Sequence, residues 1–281
     1  MSSLAANCPQ LAEQVDALDW DELQAAVEEC IFKEEETGLP ENYGPASYFP
    51  LKPENAEQEA LYAQAFDHGE GLVRAGKTAA FTVAGGQGTR LGYDGPKGTL
   101  PVSPIKKKPL FQLFAEQILG ISEKYETAIP WYVMCSPLNL EATVDHFEER
   151  NFYGLEKENL KFFAQGVMPA TDFEGNLLLA EHDSLALSPN GHGGSLKALI
   201  DSGSVADMAE RGIEHVSYFQ VDNPLVSVIN PLFIGLHDLQ QSDMSSRSLT
   251  KTGPFEKLGN FVAIGDRVTI IEYSDLPEEK A

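Results

Sequence analysis

The sequence is poor in cysteine and in basic residues, and it contains no long apolar run. Its three cysteines are widely spaced and form no CxxC pair, which argues against a disulfide framework and a zinc site and favours free thiols in a reducing cytosol. No stretch approaches the ~18 apolar residues that span a bilayer. The N-terminus lacks the basic and apolar regions of a secretory signal. We therefore expect a cytoplasmic protein without a membrane partner.

The scarcity of positive charge restricts the partners further. Lys and Arg total 20 against 43 Asp and Glu, a formal net charge of −23. Such an acidic body repels phosphate backbones, so we expect no nucleic-acid partner. Five cations nevertheless lie within nineteen residues: Arg90, Lys97, Lys106, Lys107 and Lys108. This local reversal of charge indicates a site for a small phosphorylated substrate, although a solvated basic loop would look the same.

The first quarter of the chain has a helical pattern. Apolar residues at intervals of three to five predict a helix over residues 11–36, which Asp19 could divide by capping a second helix at Trp20. A loop rich in Gly and Pro follows, and another helix is predicted over residues 55–75. We therefore divide the chain into a helical N-terminal segment, residues 1–76, and a main domain, residues 77–281.

From residue 78 onward, short apolar runs alternate with helical patterns. The predicted strands span residues 79–84, 131–135, 160–164, 216–221, 261–264 and 268–273. The predicted helices span residues 110–123, 140–150 and 195–203. Strands that alternate with helices predict an α/β fold with a doubly wound, mostly parallel sheet.

Residues 71–78, GLVRAGKT, match the P-loop pattern GxxxxGK[ST]. A P-loop needs a strand before it and a helix after it, because amides at the helix N-terminus hold the phosphate. Here a polar helix precedes the motif and an apolar strand follows it. We therefore predict that Gly76 caps the helix and that Lys77 is a cation near its C-terminus. A P-loop NTPase or kinase that uses Lys77 is the alternative.

A second glycine-rich segment, VAGGQGTRLG at residues 83–92, has the context that a nucleotide site requires. It follows a buried strand and precedes Pro96-Lys97-Gly98. Glycines let backbone amides approach a base and phosphates closely. Arg90 offers a planar guanidinium to a pyrophosphate, and Lys97 offers a point charge to the reacting phosphoryl group. The dinucleotide fingerprint GxGxxG is excluded because Leu91 occupies the position of its third glycine.

AGGQGTRLG followed by PKG resembles the signature of the UDP-sugar pyrophosphorylases, and it is closest to the eukaryotic-type UDP-N-acetylglucosamine pyrophosphorylases. Further similar motifs follow in collinear order: SPNGHGG at 188–194, VDNPL at 221–225, NPLFIG at 230–235, EKLG at 256–259 and IEYS at 271–274. The resemblance implies a Rossmann-like nucleotidyltransferase fold. It also implies a uridylyltransferase that converts UTP and a sugar 1-phosphate, N-acetylglucosamine 1-phosphate first, into a UDP-sugar and pyrophosphate.

The resemblance further implies the residues of the site. The uracil would be bound by Ala84, Gly85, Gly86, Gln165 and Gly191. Arg90 and Lys97 would carry the catalysis. The sugar would be bound by His192, Gly259 and Glu272, since a carboxylate is a natural acceptor for sugar hydroxyls.

Asp222 is the candidate ligand of Mg²⁺. The resemblance places a metal-binding aspartate here. The residue also follows an apolar strand, at the edge where doubly wound sheets hold ligands, and a carboxylate there suits a hard cation that bridges phosphates. An aspartate before Asn-Pro also forms ordinary turns, which is the alternative.

Two departures from the family pattern leave questions open. His192 occupies a position where the acetylglucosamine enzymes usually have Asn, whereas glucose-specific relatives have His followed by Gly-Asp instead of Gly-Gly. The motifs therefore do not decide which sugar 1-phosphate is used. A glucose-specific enzyme and an enzyme with broad specificity for UDP-sugars are the alternatives. The family also continues beyond Glu272 with more sheet and a phosphate-contacting lysine. We therefore expect a C-terminally truncated, incomplete catalytic domain, and a non-catalytic nucleotide-sugar-binding protein is the alternative.

Overall fold

The computed structural model describes residues 8–33, 42–253 and 256–274, which form a mixed α/β fold. Its helices are α1 Pro9–Asp16, α2 Trp20–Val27, α3 Ala56–Arg74, α4 Leu110–Tyr125, α5 Leu140–Glu148, α6 Ser195–Asp201, α7 Ser204–Glu210 and α8 Pro231–Leu239. Its strands are β1 Gly44–Pro45, β2 Thr78–Val83, β3 Trp131–Cys135, β4 Leu160–Ala164, β5 Val167–Pro169, β6 Leu179–Glu181, β7 Ser184–Leu185, β8 Leu187–Pro189, β9 His215–Gln220, β10 Asn260–Ile264 and β11 Arg267–Ile271.

The N-terminal helical pattern divides at Asp19. Its carboxylate accepts a hydrogen bond from the backbone N–H of Glu22 at 3.0 Å, which caps α2 and separates it from α1. A π-helical turn, Glu28–Phe32, extends α2. Residues 34–36, the end of the predicted helix, lie outside the described residues.

The segment that matches the P-loop pattern is the end of helix α3. Gly76 has φ +68°, and the N–H groups of Gly76 and Lys77 donate to the carbonyls of Val73 and Leu72. This left-handed C-terminal cap confirms the role that the sequence predicted for Gly76. Lys77 forms an ion pair with Glu214 at 2.8 Å, so its charge is directed to a carboxylate.

Four parallel strands form the central sheet, in the order β4-β3-β2-β9. The register pairs Ala80 of β2 with Trp131 of β3, and Thr78 of β2 with His215 of β9. Strands β3 and β4 have the bounds that the sequence predicted. Strands β3 and β9 lie on opposite sides of β2, and the position outside the ends of β2 and β9 is the usual ligand position in such sheets. We call the space beside the residues that follow β2 and β9 the crevice.

Helices cover both faces of this sheet. On one face α3, α4, α5 and α8 form a core that includes Val73, Phe114, Trp131, Phe147, Phe219 and Ile234. On the other face α6 and α7 form a core that includes Phe81, Tyr132, Met134, Ala198, Leu199 and Met208. The doubly wound arrangement is confirmed, and burial on both faces explains why β2 and β3 are continuous apolar runs. The division at residues 76 and 77 stays a prediction.

The last two strands form a separate antiparallel sheet with β1. Strand β10 pairs with both β1 and β11. Only Gly265 and Asp266 connect β10 to β11, and Gly265 has φ +58°. Two residues suffice for a hairpin but not for the crossover that a parallel neighbour needs. The sequence did not predict the short strands β5–β8 or the helices α7 and α8.

Across the three described ranges, no helix combines the length and the apolar content that crossing a membrane requires.

Helices α3 and α8 cross at two glycines. A Cβ atom added to Gly69 would lie 1.8 Å from the carbonyl oxygen of Pro231. One added to Gly235 would lie 1.7 Å from the carbonyl oxygen of Ala65. The helix backbones are therefore in direct contact, and neither position has room for a side chain.

We expect Gly69→Ala to lower the free energy of unfolding by about 3 kcal/mol, because backbone atoms have to move to admit the methyl group. Gly71→Ala is the matched control in the same helix, since a Cβ there would meet nothing within 4 Å. The control should be neutral or more stable by up to about 1 kcal/mol. Urea unfolding of both variants measures the difference, and equal midpoints would contradict the close crossing.

His146 makes stability depend on pH. Its ring packs against Phe111, Phe147 and Tyr153, and its Nε2 lies 2.6 Å from the Tyr153 hydroxyl. Burial lowers the pKa of His146 to about 4, and Arg150 acts in the same direction. The unfolded chain has a pKa of about 6.5 at this residue, so it binds the proton more readily than the folded protein. The folded state therefore loses stability as the pH falls from about 6.5 toward 4.

We expect His146→Phe to remove the part of the pH dependence of stability that comes from His146. Relative to the variant, the wild-type protein should lose free energy of unfolding between about pH 7 and about pH 5. Urea unfolding of both proteins at several pH values gives this difference directly, and the carboxylates common to both cancel. Parallel stability curves would contradict a lowered pKa at His146.

Candidate functional site

The glycine-rich segment forms a closed loop at the end of β2. At its base, the N–H of Ala84 donates to the carbonyl of Met134 at 2.7 Å, and the N–H of Lys97 donates to the carbonyl of Gly86 at 3.0 Å. Further along, the N–H of Gly88 donates to the carbonyl of Gly95 at 2.9 Å. The loop therefore returns on itself, and its base is attached to the neighbouring strand β3.

Two glycines of this loop let side chains approach the backbone. A Cβ on Gly85 would lie 3.1 Å from the amide of Gln165, and one on Gly86 would lie 3.3 Å from Cε of Lys97. Within the described chain, the N–H groups of Gly85 and Gly86 and the Gln165 side chain have no hydrogen-bond partner. These groups are open donors and acceptors at the mouth of the crevice, whereas the buried backbone of Ala84 is hydrogen-bonded to Met134 and Asn139.

Asn139 holds this loop in place, a role that the sequence motifs did not predict. Its side chain is fully buried; Nδ2 donates to the carbonyl of Ala84 at 3.2 Å, and Oδ1 accepts from the N–H of Ser136 at 2.8 Å. A polar residue just before a helix is an ordinary cap candidate. That position at the start of α5 was the available signal, but the contact with Ala84 depends on the pairing of β2 with β3.

Lys97 and Asp222 meet across the crevice. Lys97 Nζ lies 2.9 Å from Asp222 Oδ2, although 125 residues separate them in the sequence. Asp222 follows β9, and Lys97 belongs to the loop after β2, so the adjacent strands bring them together. The side chains are 26% and 48% exposed. Such an accessible pair contributes about 0–1 kcal/mol to stability, and a phosphate or a cation could displace either partner.

The remaining cations of the basic cluster do not join this pair. Arg90 lies exposed on a short helical turn at the tip of the loop, and within the described chain it forms no hydrogen bond or ion pair. Lys108 contacts Glu116 of α4, an interaction that lowers the pKa of Glu116. Lys97 is thus the cation placed at the crevice, and Arg90 is a free cation on the same loop.

The loop before α6 lies at the same edge of the sheet. The N–H of Asn190 donates to the carbonyl of Gly166 at 3.1 Å. Gly166 is the residue directly after Gln165 in the sequence. Gly191 is exposed with φ +64°. His192 Nδ1 lies 2.6 Å from the hydroxyl of Tyr218 on β9. The structure therefore connects the loop of Gly191 and His192 to the ends of β4 and β9.

Gly259 and Glu272 face each other in the antiparallel sheet. A Cβ on Gly259 would lie 3.4 Å from Oε1 of Glu272, next to the paired residues Asn260 and Ile271. Among the described residues, no hydrogen bond or ion pair joins Gly259 or Glu272 to the glycine-rich loop or to Asp222. The structure brings the two residues together but does not connect them to the crevice.

The donor set at the crevice suits a metal ion that is held mainly by a ligand. In the described ranges no group of three or more His, Cys, Asp and Glu residues is placed to hold a metal ion. Asp222 supplies one carboxylate. Mg²⁺ usually keeps several waters and is bound by one or two carboxylates together with substrate phosphates. Asp222 therefore fits Mg²⁺ that is bound with a nucleotide, and it does not fit a preformed all-protein site.

Comparison with known proteins shows the family of this chain. The family model described as UTP–glucose-1-phosphate uridylyltransferase matches residues 22–281. The UDP-N-acetylglucosamine pyrophosphorylase of Saccharomyces cerevisiae is 36% identical over 73% of this chain and 44% of its own. The human UDP-N-acetylhexosamine pyrophosphorylase-like protein 1 is 38% identical over 73% of this chain and 42% of its own. The chain thus spans a little under half the length of the curated relatives that it matches.

A solved structure supports the fold. The uridine diphosphate N-acetylglucosamine pyrophosphorylase of Trypanosoma brucei, crystallised with an inhibitor, superposes with a TM-score of 0.83 over 95% of this chain and 56% of its own. At 24% identity this likeness establishes the nucleotidyltransferase fold alone. The family model covers most of the sequence, including the glycine-rich loop and Asp222. The resemblance to UDP-sugar pyrophosphorylases is thereby confirmed, and the chain belongs to the UTP–glucose-1-phosphate uridylyltransferase family.

Proposed function

We propose that this protein is a uridylyltransferase, which binds UTP and a sugar 1-phosphate in the crevice between the loops after β2 and β9. The observation that carries the proposal is the pair of Lys97 and Asp222, a cation and a carboxylate held 2.9 Å apart beside a glycine-rich loop. A triphosphate needs cationic groups, and its counter-ion needs a carboxylate. The names of the relatives and the family support the same reaction.

The open groups of the glycine-rich loop match the edge of uracil. Uracil presents carbonyl acceptors on either side of an N–H donor. The N–H groups of Gly85 and Gly86 can donate to a carbonyl, and the amide of Gln165 offers both a donor and an acceptor. Ala84 and the exposed backbone of Gly191 would complete the base site.

The reaction needs charge neutralisation more than proton transfer. An oxygen of the sugar phosphate attacks the α-phosphorus of UTP; the new P–O bond forms as the bond to the pyrophosphate breaks. No general base is required, because the attacking phosphate is already an anion. Lys97 and Arg90 position the phosphates and stabilise the charge that develops on them.

Asp222 would hold Mg²⁺, the cofactor of the proposed reaction. When bound, Mg²⁺ supplies positive charge to the phosphate oxygens. Asp222 would be the carboxylate that holds this ion, and Lys97, which is paired with Asp222 here, would be the cation available to a phosphate oxygen of the substrate.

For the sugar, we propose that N-acetylglucosamine 1-phosphate is used at least as well as glucose 1-phosphate. A Cβ on Gly193 would meet nothing within 4 Å, so the loop leaves room for a bulky 2-substituent. A Cβ on Gly194 would lie 2.8 Å from Cβ of Asn190, so an aspartate there would displace Asn190. The loop is therefore shaped against the Gly-Asp pattern of glucose-specific relatives. Gly259 and Glu272 would meet the sugar hydroxyls.

We expect Lys97→Ala to reduce formation of the UDP-sugar by about 10²-fold or more, the scale of losing one preorganised charge. Arg90→Ala should have a loss of the same order. Lys77→Ala is the control, because Lys77 is paired with Glu214 at the end of α3. This variant should lower the rate less than about threefold.

The assay measures pyrophosphate release from UTP with N-acetylglucosamine, glucose, galactose and N-acetylgalactosamine 1-phosphates, together with calorimetric titration with UTP. A larger loss in Lys77→Ala, or a wild-type protein that does not bind UTP, would refute the proposal.

We expect Asp222→Asn to keep the fold and to abolish transfer. The amide has the size of the carboxylate, and an accessible ion pair contributes only about 0–1 kcal/mol to stability. Thermal unfolding should be nearly unchanged, whereas Mg²⁺ should no longer strengthen UTP binding. Asp243→Asn, at an exposed aspartate after α8, is the control and should retain the Mg²⁺ effect. If Asp222→Asn responded to Mg²⁺ as the wild type does, Asp222 would not be the metal ligand.

A further inference from the structure

Tyr218 and His192 form a hydrogen bond between the sheet and the loop before α6. The hydroxyl of Tyr218 lies 2.6 Å from Nδ1 of His192. Tyr218 belongs to β9, four residues before Asp222, and it is 45% exposed. Tyr218 lies outside the sequence motifs, and no pattern in the sequence predicts a role for it.

The pair joins β9 to the loop before α6, and Tyr218 lies two residues before the end of the strand that Asp222 follows. In the register of β2 and β9, Tyr218 is opposite Phe81, three residues before Ala84. Two residues before His192, Asn190 bonds to Gly166, which follows Gln165. His192 is therefore connected to β2, β4 and β9, the strands whose following residues line the crevice.

The imidazole depends on Tyr218 for its orientation. Gly191 and Gly193 flank His192, and a Cβ on either glycine would meet nothing within 4 Å. Within the described chain, the bond to Tyr218 is the one hydrogen bond that the His192 side chain makes. The Tyr218 ring is itself fixed by an edge contact with Phe81, with ring centroids 5.4 Å apart. A fixed hydroxyl thus holds a side chain on an otherwise open loop.

The chemistry of the two groups sets the direction of the bond. A phenol is a better donor than acceptor, and a neutral imidazole has one acceptor nitrogen. Burial raises the pKa of Tyr218, so the hydroxyl keeps its proton. When the hydroxyl donates to Nδ1, the imidazole proton has to be on Nε2.

We propose that Tyr218 is a specificity-determining positioning residue, which fixes His192 as the Nε2–H tautomer and so presents a hydrogen-bond donor to the sugar. The acceptor is an oxygen at the 2-position of the sugar 1-phosphate, a hydroxyl or an acetamido carbonyl. The inference rests on the proposed function, and it adds a residue that acts through His192. Tyr218 itself does not touch the substrate.

The tautomer can be measured without any substrate. In ¹⁵N-labelled protein with neutral imidazole rings, long-range ¹H–¹⁵N spectra should show a protonated Nε2 and a bare Nδ1 at His192. Tyr218→Phe keeps the ring and its contact with Phe81 but removes the hydroxyl. We expect a mixture of tautomers in this variant. A proton on Nδ1 in the wild type, or spectra that do not change in Tyr218→Phe, would overturn the proposal.

Selectivity supplies the second measurement. The ratio of kcat/KM for N-acetylglucosamine 1-phosphate to that for 2-deoxyglucose 1-phosphate should fall about three- to tenfold in Tyr218→Phe, the effect of one lost neutral hydrogen bond. His192→Ala should lower the ratio as much, and the double variant should lower it no further. The same measurement with glucose 1-phosphate shows whether the Nε2–H group also recognises a hydroxyl at the 2-position, in addition to the acetamido carbonyl.

Tyr132→Phe is the matched control. The hydroxyl of Tyr132 makes an equally short bond, 2.6 Å to Asp207, but its partner belongs to α7, which carries none of the proposed site residues. This variant should leave the selectivity ratio unchanged. If the wild type turns over the sugar phosphates and Tyr218→Phe has the same ratio, the role of Tyr218 is refuted while the uridylyltransferase stands. If no sugar phosphate is turned over, the proposed function fails, and the proposal fails with it.

Discussion

Strand β9 runs parallel to β2, and this pairing is the constraint on which the site depends. Val83 is opposite Gln220, so the next residues of both strands leave the sheet at one edge. Without this register, Lys97 and Asp222 would not lie within hydrogen-bonding distance of each other. The hydrogen bonds of the sheet thus place a cation and a carboxylate at 2.9 Å, which a weak surface ion pair could not do alone.

Each parallel strand contributes a group to the crevice just after its end. The glycine-rich loop follows β2, Asn139 follows β3, Gln165 follows β4 and Asp222 follows β9. Buried Asn139 fixes the carbonyl of Ala84, and Gln165 closes against Gly85. The protein is strongly acidic as a whole. Its crevice nevertheless holds a cation, because Lys97 and Arg90 both belong to the loop that follows β2. Rigid strands position these groups, and the loops give them access to a ligand.

The sequence predicted the parts of this arrangement that depend on local pattern. The predicted bounds of strands β3 and β4 equal those in the structure. The helix before Gly76 and the strand after it also distinguished a helix cap from a P-loop. The sequence could not predict the contact of Asn139 with Ala84 or that of Tyr218 with His192. These contacts depend on which strands are neighbours, and hydrophobic periodicity carries no information about strand partners. For the same reason, the antiparallel pairing of β10 and β11 became visible only in the structure.

The close contact between Gly194 and Asn190 also restricts how this loop can evolve. A side chain at position 194 would collide with Cβ of Asn190, which is fixed near the backbone and cannot rotate away. An aspartate at this position is therefore accessible only after residue 190 has become smaller or the loop has shifted. The two positions form an epistatic pair, in which the order of substitutions matters. A lineage that carries Asn190 is held to the Gly-Gly form of the loop by a steric barrier, even where a different sugar would be favoured by selection.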